Sequence, residues 1–267
     1  MKTIIITGST RGIGFGLAEN FLKLGQQVVI SGRSQESVNK AVQNLSERYP
    51  AEHMLGVPCD MRVYSQVENL WKVTSHHFGK VDIWVNNAGI GHPQTNFWKL
   101  TENQITELIN TNIIGAMFGA RVALAGFLAQ RSGAFYNMEG LGSDGRRVEG
   151  LTLYGTSKSG LHYLTNSLAE EVKDTGVIVG AISPGMVITD FILDQYEDRD
   201  PEEWEKAKWI FNILADKVET VTPYLAGQVL KNRQNGARIN WLNRGKMIWR
   251  FMTASMTKRD LFQELES

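Results

Sequence analysis

Short apolar runs alternate with longer helical stretches along most of this 267-residue chain, and that alternation limits what it can fold into. The first run, Thr3-Ile4-Ile5-Ile6, is continuous, the pattern of a strand buried on both faces. Further strands are expected at Val28–Ile30, Met54–Val57, Val81–Val85, Ala134–Asn137 and Val177–Ile182, with a last one at Arg238–Leu242. Helices are expected from Gly12 to Leu24, Ser34 to Arg48, Val63 to Phe78, Thr101 to Gln130 with a break, and Leu153 to Lys173. Such a rhythm makes a doubly wound parallel sheet covered by helices on both faces, a three-layer α/β/α fold. Ligands in these sheets bind beyond the carboxyl ends of the strands, and the residues of chemical interest here fall at those ends.

No linker-like tract, charge run or repeat divides the chain. One domain is expected over residues 1–243, with a lid at about 190–220 and residues 244–267 as a helical extension. The 28 basic and 28 acidic residues cancel, so no global field attracts nucleic acid, and no nucleic-acid partner is expected. The single cysteine, Cys59, rules out an internal disulfide; ending an apolar stretch, it reads as a buried, inert thiol. The N-terminus enters a strand without the basic start and cleavage site of a signal peptide. No run approaches the ~20 apolar residues of a transmembrane helix, and a cytoplasmic protein is expected. His76, His77 and His92 have no metal-like spacing, so no metal is expected.

Gly8 ends the first strand, and Gly12 and Gly14 open the first helix. Glycines there permit a tight turn and let the backbone approach a pyrophosphate, which the helix N-terminus attracts. Ser9, Arg11 and Ile13 complete this candidate cofactor turn. Asp60 and Met61 are placed to hold an adenine edge, and Asn87, Ala88 and Gly89 to line the cofactor cleft. The second strand ends Ile30-Ser31-Gly32-Arg33, without the acid that an NAD-selective site turns to the ribose hydroxyls. Arg33, with Arg11, suits a phosphate instead and favours NADP(H); the alternative is that Arg33 only solvates a loop.

Tyr154 and Lys158 stand one helical turn apart and project from one face. Tyrosine titrates near ~10, and a neighbouring ammonium is expected to lower that value toward the range useful for proton transfer. Y-x-x-x-K alone arises by chance in many helices. Behind a glycine turn, in this order, it points to hydride transfer.

These elements, with Asn112-Ile113-Ile114-Gly115 and Ser183-Pro184-Gly185-Met186-Val187-Ile188-Thr189, resemble the short-chain dehydrogenase/reductase family over about residues 1–190. The resemblance implies a Rossmann-type sheet and an oligomer. It implies that Tyr154 donates or accepts the proton and that Lys158 also binds the nicotinamide ribose. Asn112 would break a helix and support a water-linked proton relay, while Pro184, Gly185, Val187 and Thr189 would hold the carboxamide. The chain departs at the family's serine, about thirteen residues before the tyrosine. Glu139 and Gly140 stand where a serine pair is usual, and Leu141 occupies the spacing. Ser143, the nearest hydroxyl, is the expected donor to the substrate oxygen, the alternatives being a plain loop serine or a cap. Glu139 is expected to pair with Arg146 or Arg147.

The loop Asn137-Met138-Glu139-Gly140-Leu141-Gly142-Ser143-Asp144-Gly145-Arg146 is similar to the N-M-D-G-x-G-S-G-G loop of the chlorophyll(ide) b reductase branch. It departs from that branch at Glu139 and Asp144. Ser183–Asp190, Phe211–Ile213 and Ala237–Leu242 also match. This narrower resemblance implies NADPH-dependent reduction of a ring formyl group, with a chlorophyll-type macrocycle as the carbonyl substrate. A reductase of small or sterol-like carbonyls, and a non-catalytic NADP(H) sensor or scaffold, are the alternatives. Phe191, Ile192, Tyr196, Trp204, Trp209 and Phe211 are lid candidates, and packing against the sheet is the other reading. The basic and aromatic stretch Arg244–Met252, followed by Lys258-Arg259, suits a membrane surface or packing on its own or a partner subunit.

Overall fold

The computed structural model describes residues 1–189, 192, 201–254, 257 and 259–262. Strands β1 (Thr3–Ile6), β2 (Gln27–Gly32), β3 (Met54–Pro58), β4 (Ile83–Asn86), β5 (Gly133–Met138), β6 (Val177–Ser183) and β9 (Arg238–Asn240) form one sheet. It is seven-stranded, ordered β3-β2-β1-β4-β5-β6-β9, and every pairing is parallel. Strands β7 (Met186–Ile188) and β8 (Ala215–Lys217) pair separately.

The strands are buried on both sides because successive side chains alternate between faces. Ile4 and Ile6 join one core with Phe21 of α1 (Gly12–Lys23), Leu45 of α2 (Gln35–Ser46) and Leu225 of α8 (Val218–Lys231). Ile5 joins the other, with Leu70 of α3 (Tyr64–Phe78), Phe127 of α5 (Gly115–Gln130) and Ala169 of α6 (Thr152–Glu171). Strand order reverses between β1 and β4, and the crevice opens at their carboxyl ends.

The expected break in the long helix falls at Asn110–Ile114, a π turn between α4 (Glu102–Ile109) and α5. Such turns concentrate at functional sites. A capping box starts α4: Thr101 accepts from the Gln104 amide while Gln104 accepts from the Thr101 amide. The whole run Glu102–Gln130 is long and apolar enough by length and composition to cross a membrane, which corrects the sequence expectation that none is; half of its most apolar window is buried within the protein.

Beyond β6 lie α7 (Pro201–Leu214) and α9 (Arg244–Thr253). The last strand stops at Asn240 rather than Leu242, because the chain turns into Asn243, whose side chain caps α9 by accepting from the Lys246 amide. Phe262 packs on α7, edge-on to Trp204 at 5.1 Å and near Phe211 at 6.1 Å. Ile248, Trp249, Phe251 and Met252 remain exposed on α9.

Candidate active site

Gly8 and Gly12 adopt left-handed φ angles of 63° and 58° in the turn after β1. A Cβ on Gly8 would stand 2.8 Å from the Cα of Ala88, so only glycine lets the loops after β1 and β4 touch. Hydrogen bonds hold that contact. Thr7 Oγ1 accepts from the Asn87 and Ala88 amides, both at 3.0 Å, and Asn87 Nδ2 donates to Thr7 O and Gly8 O, both at 2.9 Å. The first turn of α1 has neither a side-chain cap nor an acidic residue, so its N–H groups can receive an anion.

Gly8, Arg11, Gly12, Ile13 and Gly14 form one end of a cleft of about 1040 Å³. Arg33, Asp60, Met61, Asn87, Ala88 and Gly89 line it as well. Pro184, Gly185, Val187 and Thr189 line it too, as do Tyr154 and Lys158. Ser9 does not reach the cleft. Its hydroxyl donates to Ile6 O (2.7 Å) and accepts from the Ser31 amide (2.9 Å), so it braces the turn from behind. Asp60 is gripped by Arg62, whose Nη2 lies 2.7 Å from Oδ2 and whose hydrogen bonds hold the carboxyl below its usual range.

Arg33 is exposed and makes no hydrogen bond or ion pair among the described residues. Beside it Ser34 caps α2, accepting from the Ser37 amide at 3.2 Å. A guanidinium next to a helix N-terminus is suited to phosphate. Ser34, Ser37 and Thr10 also line the cleft. Sequence reading missed all three, although a serine directly after Arg33 and before a helix was a usable signal.

Lys158 is buried, and its Nζ donates to Met138 O at 3.1 Å while lying 5.6 Å from the centre of the Tyr154 ring. Burial pulls Lys158 down to about 8, with the Glu139 charge acting in the opposite direction. Burial pushes the Tyr154 phenol above its ordinary value. This corrects the expected lowering by the ammonium: Lys158 is directed at a backbone carbonyl, and desolvation governs the phenol.

Asn112 is buried. Its Oδ1 accepts from the Ile90 amide (2.8 Å), and its Nδ2 donates to Ile90 O (2.9 Å) and Ser157 Oγ (3.2 Å). The side chain therefore fixes the β4 loop beside Lys158 and does not itself line the cleft. Ser143 is also turned away, donating to Lys158 O and accepting from the Gly140 amide, both at 3.2 Å. A loop serine replaces the expected oxyanion donor, because the glycine-rich loop closes onto α6 with that hydroxyl bonded to the backbone. Glu139 is likewise corrected. It pairs with His162 and Arg238, while Arg146 pairs with Asp144 at 2.7 Å.

Leu141, Val148, Leu151, Ile192, Ile210 and Phe211 also line the cleft, together with the charged Glu139, Asp144, Arg146 and Arg238. Trp204 packs on Phe262 and Trp209 is exposed, so neither lines it; Phe191, Tyr196 and Lys258 lie outside the described residues. No cluster of three or more metal-ligating side chains occurs among the described residues.

Residues 2–200 match the model of the short chain dehydrogenase family, and the chain belongs to that family of oxidoreductases. Among individual proteins it is similar to "Chlorophyll(ide) b reductase NOL, chloroplastic" of Arabidopsis thaliana, 37% identical over 85% of this chain and 64% of that one. It is also similar to "Probable chlorophyll(ide) b reductase NYC1, chloroplastic" of the same plant, 31% identical over 98% of this chain and 55% of that one. The chain thus spans less than two thirds of the first and about half of the second. Its fold is similar to the solved structure of ElxO with NADP bound, at a TM-score of 0.77 and 26% identity, covering 90% of this chain and 96% of that one.

Proposed function

We propose that the protein is an NADPH-dependent carbonyl reductase that converts the formyl group of a chlorophyll(ide) b-type macrocycle to hydroxymethyl. The observation that carries this reading is the 37% identity to a chlorophyll(ide) b reductase over 85% of this chain. The apolar side chains among the cleft lining are consistent with such a substrate. The glycine turn and the uncapped α1 would take the pyrophosphate, and Arg33, with Arg11, the 2′-phosphate.

When bound, the nicotinamide supplies the hydride to the carbonyl carbon. Tyr154, kept protonated by burial, donates its proton to the carbonyl oxygen. Lys158 would hold the ribose, and its ammonium balances the charge that develops on the phenolate. Asn112 supports the return of a proton by holding Ile90 and Ser157 beside Lys158.

The test is NADPH oxidation with chlorophyll b or chlorophyllide b, followed by pigment chromatography. The 7-hydroxymethyl product is expected. Tyr154→Phe is expected to lower turnover ~100-fold or more while retaining NADPH binding. Saturable NADPH binding with turnover of small aldehydes but no pigment product would overturn the macrocycle and leave the reductase.

A further inference from the structure

Tyr154, Lys158 and His162 follow one another at four-residue steps and form one stripe along α6. The chain leaving β5 is laced to that helix. Met138 O accepts from Lys158 Nζ (3.1 Å), and Glu139 accepts from His162 Nδ1 (2.6 Å). Ser143 donates to Lys158 O (3.2 Å), and Ser159 donates to Gly142 O (2.7 Å). Gly140 passes so near the reacting phenol that a Cβ there would stand 2.6 Å from Tyr154 Oη.

Glu139 is the charged member of this seam. Its side chain is fully buried, and its second oxygen pairs with Arg238 Nε at the start of β9. Its amide donates to Ile182 O on β6 at 2.8 Å. His162 Nε2 accepts from Asn166 Nδ2 at 3.1 Å, which assigns the ring hydrogen to Nδ1, where it is donated to Glu139. A buried carboxylate needs such partners, and neither of them has a part in the chemistry derived above.

We propose that Glu139 is a positioning residue for the reaction. Anchored by His162 and Arg238, it fixes the β5–α6 loop against the Tyr154–Lys158 face of α6 and supplies the negative charge that compensates the buried ammonium. The proposal rests on the Tyr154–Lys158 chemistry and is independent of the macrocycle. Around Lys158, its own helix contributes Tyr154, the π turn contributes Asn112 and the β4 loop Gly89. Around Glu139, α6 contributes His162 and β9 contributes Arg238. Glu139 is therefore the anion acting on this ammonium among the described residues, opposing the effect of burial.

The experiment is NMR titration of the full chain labelled with ¹³Cε-lysine, from about pH 6 to 11. The Lys158 signal is assigned by its loss in Lys158→Met, and no substrate is required. Glu139→Gln is expected to move the Lys158 midpoint about one pH unit lower, whereas Glu139→Asp, which keeps the charge, leaves it nearly in place. With any carbonyl that is turned over, the alkaline limb of kcat should move with the midpoint in Glu139→Gln and stay in Glu139→Asp. An unchanged midpoint in Glu139→Gln, or a kcat limb that ignores it, overturns the proposal. If Glu139→Gln does not fold, Arg238→Gln leaves the carboxylate without its cation and should move the midpoint upward; no movement overturns the proposal. Failure of the reductase reading is distinguishable, since it would show as absent turnover in the unsubstituted protein with the Lys158 shift intact.

Discussion

Lys158 ties the stability of the protein to pH as well as its chemistry. Burial lowers it from 10.5 to about 8, so between those values the unfolded chain binds more protons than the folded one. Stability therefore rises with pH through that window, and this contribution is lost as pH falls through about 8. Lys158→Met should remove it. In urea unfolding of the cofactor-free protein, the difference between the unsubstituted chain and the variant is expected to change from about pH 8 to pH 10; a constant difference would sink the assignment. Gly140 gives a second prediction. Gly140→Ser restores a hydroxyl where the family usually has one, yet its Cβ would lie 2.6 Å from Tyr154 Oη. Because sub-ångström displacement of a reacting group is costly, turnover should fall about tenfold or more with little change in Tm. Faster turnover in this variant would show that the loop yields and that the missing serine is a simple loss.

At the scale of elements, local pattern was readable and distant pairing was not. The continuous apolar runs announced the strands, the glycine turn announced the β1–α1 junction, and the four-residue step placed Tyr154 and Lys158 on one face. Cys59 was legible as an inert thiol from its apolar stretch, and burial does push it up to about 12. Glu139 was misread because sequence nearness favoured Arg146. That arginine is held by Asp144, two residues away, whereas Arg238 is 99 residues from Glu139 and arrives only because β9 pairs with β6. Asp216 escaped for the same reason. Buried beside β7, it accepts from Trp241 Nε1 (2.6 Å), Arg250 Nη2 (2.8 Å) and Arg259 Nη2 (2.8 Å), and so ties the residue after β9, helix α9 and Arg259 to one carboxylate. Asp216→Ala would leave those donors without their acceptor. A loss of about 3 kcal/mol in urea unfolding is expected, with faster proteolytic cleavage after Asn243. Unchanged stability and cleavage would mean that the packing of Phe262 and the backbone hydrogen bonds of Arg250 and Arg259 hold this segment without the carboxylate.

For the whole molecule, a net charge of zero means that cofactor choice must come from local contacts rather than a long-range field. Global stability can then report on a single wall of the cleft, since a ligand that binds only the folded state stabilises it by mass action. At a concentration one hundred times its Kd, the gain is about 2.7 kcal/mol, which for a chain of this size corresponds to roughly 5–10 °C in Tm. NADPH and NADH share every group except the 2′-phosphate, and the groups that would read that phosphate are Arg33, Arg11 and the start of α2. Replacing Arg33 by alanine removes a charge-assisted contact, so NADPH affinity should fall by about 10- to 100-fold. At a fixed NADPH concentration, its thermal shift should shrink accordingly, while the smaller NADH shift stays as it was. Raised salt should shrink the NADPH shift of the unsubstituted protein as well, because Arg33 is exposed and screened. If Arg33→Ala weakens both cofactors equally, the arginine supports the loop rather than the phosphate, and the NADP(H) preference would have to rest on Arg11 and the α2 N-terminus.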